Sequence, residues 1–316
     1  MGALQDLVAE GLRELDALSL ADLLAPPEEQ RLPAALEEGA RSRRRAIVLE
    51  SAAEPGLRAE IAALLARAAR DFLHQRHQFL HVDAAREERL LEIASSFAEG
   101  ALVLLASSAD WPAVAEALGA QRASQRAKLR ELALELLAEC GSLAPGQPEI
   151  LESVCAEYSP ELQLEVLGTS AGELLAPVLD LGCGREGALV HFLRRAGHDP
   201  VWGLDRSAPA ADGFLRLSWF DRELPRETFR TVISHQAFSL HFLHAHHRSA
   251  ARAAAFAAKY VEILRSLAPG GRFFYAPALP FVEEHLDPAK FGVSLRRVGD
   301  TEFHAACVER RASLPA

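Results

Sequence analysis

The sequence predicts an all-α domain followed by an α/β domain with a doubly wound, mostly parallel sheet. Three observations predict it. Up to about residue 165 the chain is rich in Ala, Leu, Glu and Arg, with apolar residues recurring three and four apart. Within this stretch, Cys140-Gly141-Ser142-Leu143-Ala144-Pro145-Gly146-Gln147-Pro148 gathers turn formers and marks a boundary. From Pro177 onward, short apolar runs alternate with helical stretches, as parallel strands with helices on both faces require.

The helical elements follow in order. Leu4, Leu7, Val8, Leu12 and Leu15 form one stripe, and Pro26-Pro27 ends that region. A second helix is expected from about Gly56 to Leu80, with Ile61, Leu64, Leu65 and Ala68 on one face. Asp83 is placed to cap a third, running through Leu90, Leu91, Ile93 and Phe97 to about Leu105. Asp110-Trp111-Pro112 starts a fourth, with proline in its first turn and a break expected near Gly119 before it ends near Leu137. No repeat period stands out. The expected organisation is a bundle of roughly five helices over residues 1–145, bridging helices over 146–176 and the α/β domain over 177–316. In the bridge, Ser159 caps a helix whose first residue is Pro160.

In the α/β part, strands are expected near 177–181, 201–205, 214–217, 230–234 and 271–276. Two more, Val293–Val298 and Phe303–Val308, flank a Gly299-Asp300 turn signal. About eight residues separate Asp205 from Phe214, and they include Pro209 and Gly213, so a helix has little room there.

Composition narrows the function classes. An apolar content of 49% over 316 residues permits one large domain or two ordinary ones. The sequence has no apolar run of about eighteen residues or more, the length of a membrane span. Met1-Gly2-Ala3-Leu4-Gln5-Asp6 lacks the basic start of a secretion signal, and Asp6 stands where a myristoylation signal needs Ser or Thr. Cys140, Cys155, Cys183 and Cys307 are scattered without metal-knuckle spacing, which points to reduced thiols and a cytoplasmic protein. The net charge of −10 divides unevenly, −12 over residues 1–165 and +2 over the rest. An acidic chain is a poor general binder of phosphate backbones, which argues against a nucleic-acid substrate. The dense basic run Arg41-Ser42-Arg43-Arg44-Arg45 reads as a solvated helix face, or as a contact for an anionic substrate or partner.

The most informative run is Pro177-Val178-Leu179-Asp180-Leu181-Gly182-Cys183-Gly184-Arg185-Glu186-Gly187. An apolar strand leads into Gly-x-Gly-x-x-Gly, and a helical stretch from Ala188 to Ala196 follows. Glycines here let a ligand lie against bare backbone, and the helix start offers unpaired N–H groups and positive dipole. Val201-Trp202-Gly203-Leu204-Asp205 is a second strand ending in a carboxylate that can accept both hydroxyls of a ribose. Alone, the glycine pattern is shared with dinucleotide sites and with chance turns. Asp180 stands where dinucleotide folds usually carry an apolar residue, and an acid there suits a ligand with a cationic amino group. Leu264–Tyr275 reads as a helix end, a Pro-Gly-Gly turn and a buried strand, and Phe229–Ser234 as a strand entering a site loop.

In that order and at those spacings, residues 177–310 resemble the class I S-adenosylmethionine-dependent methyltransferases, over roughly the C-terminal two-fifths of the chain. The resemblance implies a Rossmann-like methyltransferase fold, a terminal antiparallel strand pair and S-adenosylmethionine as cofactor. It implies that Asp180, Gly182, Cys183, Gly184 and Gly187 form the methionine and turn side of the site, and that Asp205 holds the ribose. Asp221 in Trp219-Phe220-Asp221 is the nearest match to the acid that meets the adenine amino group, though one residue short in its spacing to Leu224-Pro225. The segment before the glycine motif folds over the cofactor in this family. Tyr158 then either closes one side of the pocket or packs between the domains.

Ligands of parallel sheets bind beyond the carboxyl ends of the strands, which puts Ser234-His235-Gln236-Ala237-Phe238-Ser239-Leu240-His241 beside the methyl group. His235 is the first candidate for a general base and His241 the second, because an unperturbed imidazole titrates near working pH. The other reading is that they line the pocket or hydrogen-bond the cofactor. Ser234 joins the expected cofactor contacts. His74, His77 and His81 fall at helical spacings that put all three on one face, and His241, His244, His246 and His247 crowd another segment. No neighbouring acid completes a metal motif in either, so no metal is assigned. Cys183 reads as a small side chain in the turn rather than a nucleophile.

The resulting expectation is a cytoplasmic methyltransferase acting on an O or N atom of a small molecule or short peptide. The helical domain would serve substrate recognition, act as a lid, or form a homodimer surface. The rivals are a methyltransferase of protein or RNA, and a regulatory or scaffold protein that binds the cofactor without turnover. A nicotinamide oxidoreductase is disfavoured by Asp180 and the Pro-Gly-Gly element.

Overall fold

The computed structural model describes residues 19–24, 48, 56–144, 147–148 and 158–312. The chain divides into two units, Met1–Ser153 and Val154–Ala316. The Leu4–Leu15 stripe, the Arg41–Arg45 run and Cys155 lie outside the described residues.

The first unit contains α1 (Leu20–Leu24), α2 (Leu57–Arg76), α3 (Ala84–Ala106) and α4 (Trp111–Glu139), then a short antiparallel pair, β1 (Leu143–Ala144) with β2 (Gln147–Pro148). Asp83 and Asp110 cap α3 and α4 as expected, their carboxylates accepting the Arg86 and Ala113 amides at 3.0 and 3.2 Å. Ile61, Phe72 and Leu73 of α2, Leu90, Ile93 and Leu102 of α3, and Val114, Leu132 and Leu136 of α4 are buried, one apolar stripe from each helix. The pair α3 and α4 is also laced by Arg89 with Glu135, 2.6 Å, and by Arg86 with Glu139.

Two expectations fail here. α4 runs through Gly119 without a break. A lone helical glycine costs about 1 kcal/mol, and packing outweighs it. Two residues on, the Gln121 amide donates to the Phe97 carbonyl of α3 at 3.0 Å, in space left open by Gly100. The second failure concerns α2, which stops at Arg76, so His81 lies beyond the helix and shares no helical face with His74. His77 caps the end in extended conformation, its amide bonded to the Leu73 carbonyl. Among the described residues, no group of three or more His, Cys, Asp or Glu is placed to hold a metal ion. No described helix is long and apolar enough to cross a membrane.

The second unit is a seven-stranded sheet in the order β5-β4-β3-β6-β7-β9-β8. Its strands are β3 (Val178–Leu181), β4 (Val201–Leu204), β5 (Phe214–Leu215), β6 (Phe229–His235), β7 (Leu267–Ala276), β8 (Phe291–Arg297) and β9 (His304–Arg310). β3 to β7 are parallel, and β9 runs antiparallel between β7 and β8. The mixed seven-stranded sheet with its helices is the doubly wound, mostly parallel arrangement expected from the sequence, including the terminal antiparallel pair.

Helices α5 (Pro160–Leu167), α6 (Ala188–Arg195), α7 (Phe238–Arg248), α8 (Ala250–Ser266) and α9 (Pro280–Glu283) accompany the sheet. Leu164, Leu189, Leu193, Val178, Ile233 and Phe274 form the core of one face, and Phe238, Phe242, Tyr260, Ile263, Leu179, Val232 and Phe273 that of the other. Apolar residues on both faces explain why β3 reads as an unbroken apolar run around Asp180. Residues 206–213 form turns in place of the helix that had no room. Arg194 of α6 ties this short connection down, donating to the Val201 and Asp212 carbonyls at 2.7 and 3.1 Å.

The Pro-Gly-Gly element is a bulge inside β7 rather than a turn before it. Phe229 pairs with Leu267, and the next pair is Thr231 with Arg272. Only glycine fits at 271, where a Cβ would lie 2.8 Å from the Ala268 oxygen and 2.9 Å from that of Phe229.

Gly187 precedes α6 at φ +55°, and a Cβ there would lie 2.3 Å from the Phe214 ring. We predict that Gly187→Ala destabilises the protein by about 1–3 kcal/mol in urea titrations. Adding Phe214→Leu should recover part of that loss; strictly additive losses would show that the ring contact is not the cause.

Candidate active site at the junction of the third and sixth strands

From β3 the chain crosses to β4 on one side, and from β6 it crosses to β7 on the other, yet β3 and β6 are neighbours. Such a junction opens a crevice beyond the carboxyl ends of the two strands. The glycine turn leaves β3 into this crevice with Gly182 at φ +95° and Gly184 at φ +70°. At Gly182 a Cβ would lie 2.3 Å from that of Ala237, so the turn after β3 rests on the entry to α7. Ser234 locks the two together. Its hydroxyl donates to the Leu181 carbonyl at 2.7 Å and accepts the Phe238 amide at 3.0 Å. Ser234 is therefore committed to the backbone of the site. Gly187 faces Phe214 and serves helix-on-strand packing.

Two carboxyl groups border the turn. Asp180 is 2% exposed, and its Oδ2 has no hydrogen-bond partner among the described residues. Burial, and secondarily the charge of Asp205, push its pKa up to about 8. Asp205 follows β4; its Oδ1 accepts the Ser207 amide at 2.7 Å and its Oδ2 the Gly184 amide at 3.3 Å. The carboxylate expected at the ribose thus also holds the glycine turn in shape. Cys183 packs over Gly203, where a Cβ would lie 2.7 Å from its Sγ. Burial first, then Asp180 and Asp205, push its thiol pKa far up, so it stays a neutral spacer. Arg206, not singled out from the sequence, adds a cation next to Asp205; burial lowers its pKa to about 10 against the opposing pull of that acid.

His235 ends β6 and is 5% exposed, with Nε2 unpartnered among the described residues. Burial lowers its pKa to about 4, so the imidazole is neutral at pH 7. Asp180 pairs in register with Ile233, and His235 lies two residues further along the same strand. Asp180 and His235 therefore share one face of the sheet on either side of the junction. Tyr158 sets its ring edge-to-face on His235, centroids 5.6 Å apart, and its carbonyl accepts the Gln163 amide at 2.9 Å.

His241 belongs to α7 rather than to β6. It lies in the first turn of α7, among the rings of Trp219 and Phe256 at 5.0 and 6.5 Å. Asp221 is exposed, and its carboxylate accepts the Ser218 amide of its own turn at 2.9 Å. From that turn it is Trp219 that reaches the crevice, 3.6 Å from a Cβ position on Gly182 and edge-on to Phe238. An aromatic residue in the loop after β5 was the available signal for Trp219. His246, further along α7, stacks on Phe281 at 3.8 Å.

The residues fit a ligand carrying a cationic amino group and ribose hydroxyls. A buried carboxyl with a vacant acceptor position suits the first, and a carboxylate at the end of the neighbouring strand suits the second. A groove of about 660 Å³ lies elsewhere, over β7, β9 and β8, lined among others by Gly168, Arg272, Arg296 and Cys307. None of the unpartnered buried polar atoms falls among its lining residues, so the strand junction is the stronger site.

No protein-family model matches the chain, and no curated protein matches it. Solved structures do. A protein from Methanococcus maripaludis assigned to the S-adenosyl-L-methionine-dependent methyltransferases is 12% identical at TM-score 0.33, over 49% of this chain and 86% of that one. The tRNA (m1A58) methyltransferase TrmI from Aquifex aeolicus is 13% identical at TM-score 0.31, over 56% and 76%. A possible exported protein from Bordetella parapertussis is 13% identical at TM-score 0.31, over 82% and 99%. At these scores the likeness carries no information about substrate or location.

The buried groups make the ligand-free protein pH-sensitive in opposite senses. Between about pH 4 and 8 folded Asp180 keeps a proton that the unfolded chain releases, so stability falls as pH rises through this window. Asp180→Asn should therefore gain stability over the parent toward pH 8 and match it near pH 4. His235 has the opposite sign. As pH falls from 6.5 to about 4 the unfolded chain takes up a proton that folded His235 refuses, and stability is lost. His235→Gln should flatten that acid limb in denaturant titrations; an unchanged limb would mean that the imidazole is not shielded.

Proposed function

We propose that the protein is an S-adenosylmethionine-dependent methyltransferase that methylates an O or N atom of a small molecule or short peptide. The observation that carries this reading is the buried, unpartnered carboxyl of Asp180 beside a glycine turn at the strand junction. A dinucleotide pyrophosphate has no use for an acid there, whereas an α-amino group satisfies it. S-adenosylmethionine supplies a methyl group made electrophilic by its sulfonium.

The chain's own residues then divide the work. Asp180 takes the amino group and loses its proton as it does so. Asp205, which also holds the Gly184 amide, receives the ribose hydroxyls, and Trp219 walls the crevice at Gly182. His235 is neutral and too weakly basic to act as a base that titrates near pH 7. Its Nε2 is suited to orient the acceptor by a hydrogen bond, with Tyr158 closing that side. Positioning then supplies most of the rate. The net charge of −10 favours a neutral or cationic acceptor.

Calorimetric titration of ligand-free protein tests this. S-adenosylmethionine should bind saturably and NAD should not, and Asp205→Ala should weaken binding about tenfold or more. Near pH 7 the measured heat should change with the ionisation heat of the buffer, because Asp180 releases a proton. Unaltered affinity in Asp180→Asn would sink the assignment. With an acceptor in hand, kcat/KM should show no inflection near pH 6.5 from His235.

A further inference from the structure

β8 is the outermost strand of the sheet, and among the described residues it pairs with β9 alone. An open strand edge is a template for another strand, and proteins usually blunt it with proline, lysine, a bulge or a cover. Phe291–Leu295 carries none of the first two, and its pairing with β9 is unbroken from Phe291 to Arg297. Val293 is 41% exposed and Leu295 53%, and Phe303, in the turn after β8, is 65% exposed. The two cations are confined to the strand's end, where Arg297 is turned back onto the Thr301 and Asp300 carbonyls at 2.6 and 3.2 Å.

We propose that this edge pairs antiparallel with β8 of a second copy of the chain, about a twofold axis at Ser294, joining the two sheets into one. The residues themselves argue for self-pairing. Ser294 is the middle of the strand, so this register overlaps its whole length. It sets Val293 opposite Leu295 of the second copy, twice over, on one face. Arg296 then meets Gly292, beside which the Arg311 side chain of its own chain lies, and Arg297 meets Phe291, so no two charged residues of the strand pair directly. Sliding the strands until either arginine faces its own copy leaves at most Leu295–Arg297 to pair. The turn holding Phe303 comes to lie beside the residues that precede Phe291 in the other copy. Such a dimer is isologous and leaves the junction of β3 and β6 open, because β7 and β9 separate it from the edge. It is distinct from a dimer through the helical unit.

The 316-residue chain should sediment as a dimer at tens of micromolar. Leu295→Glu, at an exposed position, should give a folded monomer with unchanged circular dichroism. In a Cys307→Ser parent, Ser294→Cys should cross-link to itself under mild oxidation, since residues facing across such an axis have Cα atoms about 4.5–5.5 Å apart, within disulfide reach. Arg297→Cys in the same parent should not. A monomeric wild type would overturn the proposal. So would a dimer that survives Leu295→Glu and fails to cross-link at 294, which would place the interface elsewhere, the helical unit included.

Discussion

The second unit is organised around the contact between the ends of β3 and β6. Ser234 spends its hydroxyl on the Leu181 carbonyl and the Phe238 amide, and Gly182 lets Ala237 come within a distance that no Cβ would allow. Two loops that leave the sheet in opposite directions are thereby clamped at their roots. The crevice between them follows from this clamp. With a side chain at Gly182, or a strand without the Ser234 bridge, the loops would part and the acids would open to water. Asp205 reinforces the arrangement from β4 by accepting the Gly184 amide. The group best placed for a ribose is thus also part of what keeps the turn folded.

Buried polar groups in this unit are treated in two ways. Under β7, the Tyr260 hydroxyl donates to that of Tyr275 at 2.9 Å, and Tyr275 donates to the Glu283 carboxylate at 2.7 Å. The same carboxylate accepts the Leu279 amide at 2.6 Å. That network is closed and fixes the start of α9. At the strand junction, by contrast, Asp180 Oδ2 and His235 Nε2 are equally buried and have no partner among the described residues. Leaving such atoms unsatisfied costs about 1–3 kcal/mol each. A cost of that kind, borne next to a glycine turn and absent from the network beside it, marks a place shaped for something other than stability.

The environment also redefines the two groups. In water Asp180 would be ionised and His235 would titrate near neutrality. Burial exchanges these roles, leaving a carboxyl that holds its proton to about pH 8 and an imidazole that refuses one above about pH 4. The same desolvation acts in both cases, disfavouring whichever form carries charge. A cationic ligand would reverse it for the acid and leave the imidazole neutral.

The sequence by itself determined the elements and their order, because local chemistry sets them. Apolar runs mark the strands, aspartates at 83 and 110 cap their helices, and the glycines after β3 signal a turn. The short span between Asp205 and Phe214 excluded a helix on length alone. The candidate acids were legible for the same reason, since a carboxylate at a strand end follows from spacing. Tertiary structure decided what those residues do. Gly187 turned to packing because Phe214 arrives from a distant strand, and Ser234 to scaffolding because α7 folds back over β6. Trp219 packs against Gly182 and Phe238 because its turn lies beside α7, while Asp221 of the same turn stays exposed. The failures in the first unit share that cause. Gly119 did not break α4 because contacts with α3 outweigh a local propensity, and His81 left the histidine face because α2 ends where its cap forms. Local sequence sets backbone preference within a turn or two, whereas burial, shifted pKa values and unsatisfied atoms depend on residues far apart in the chain.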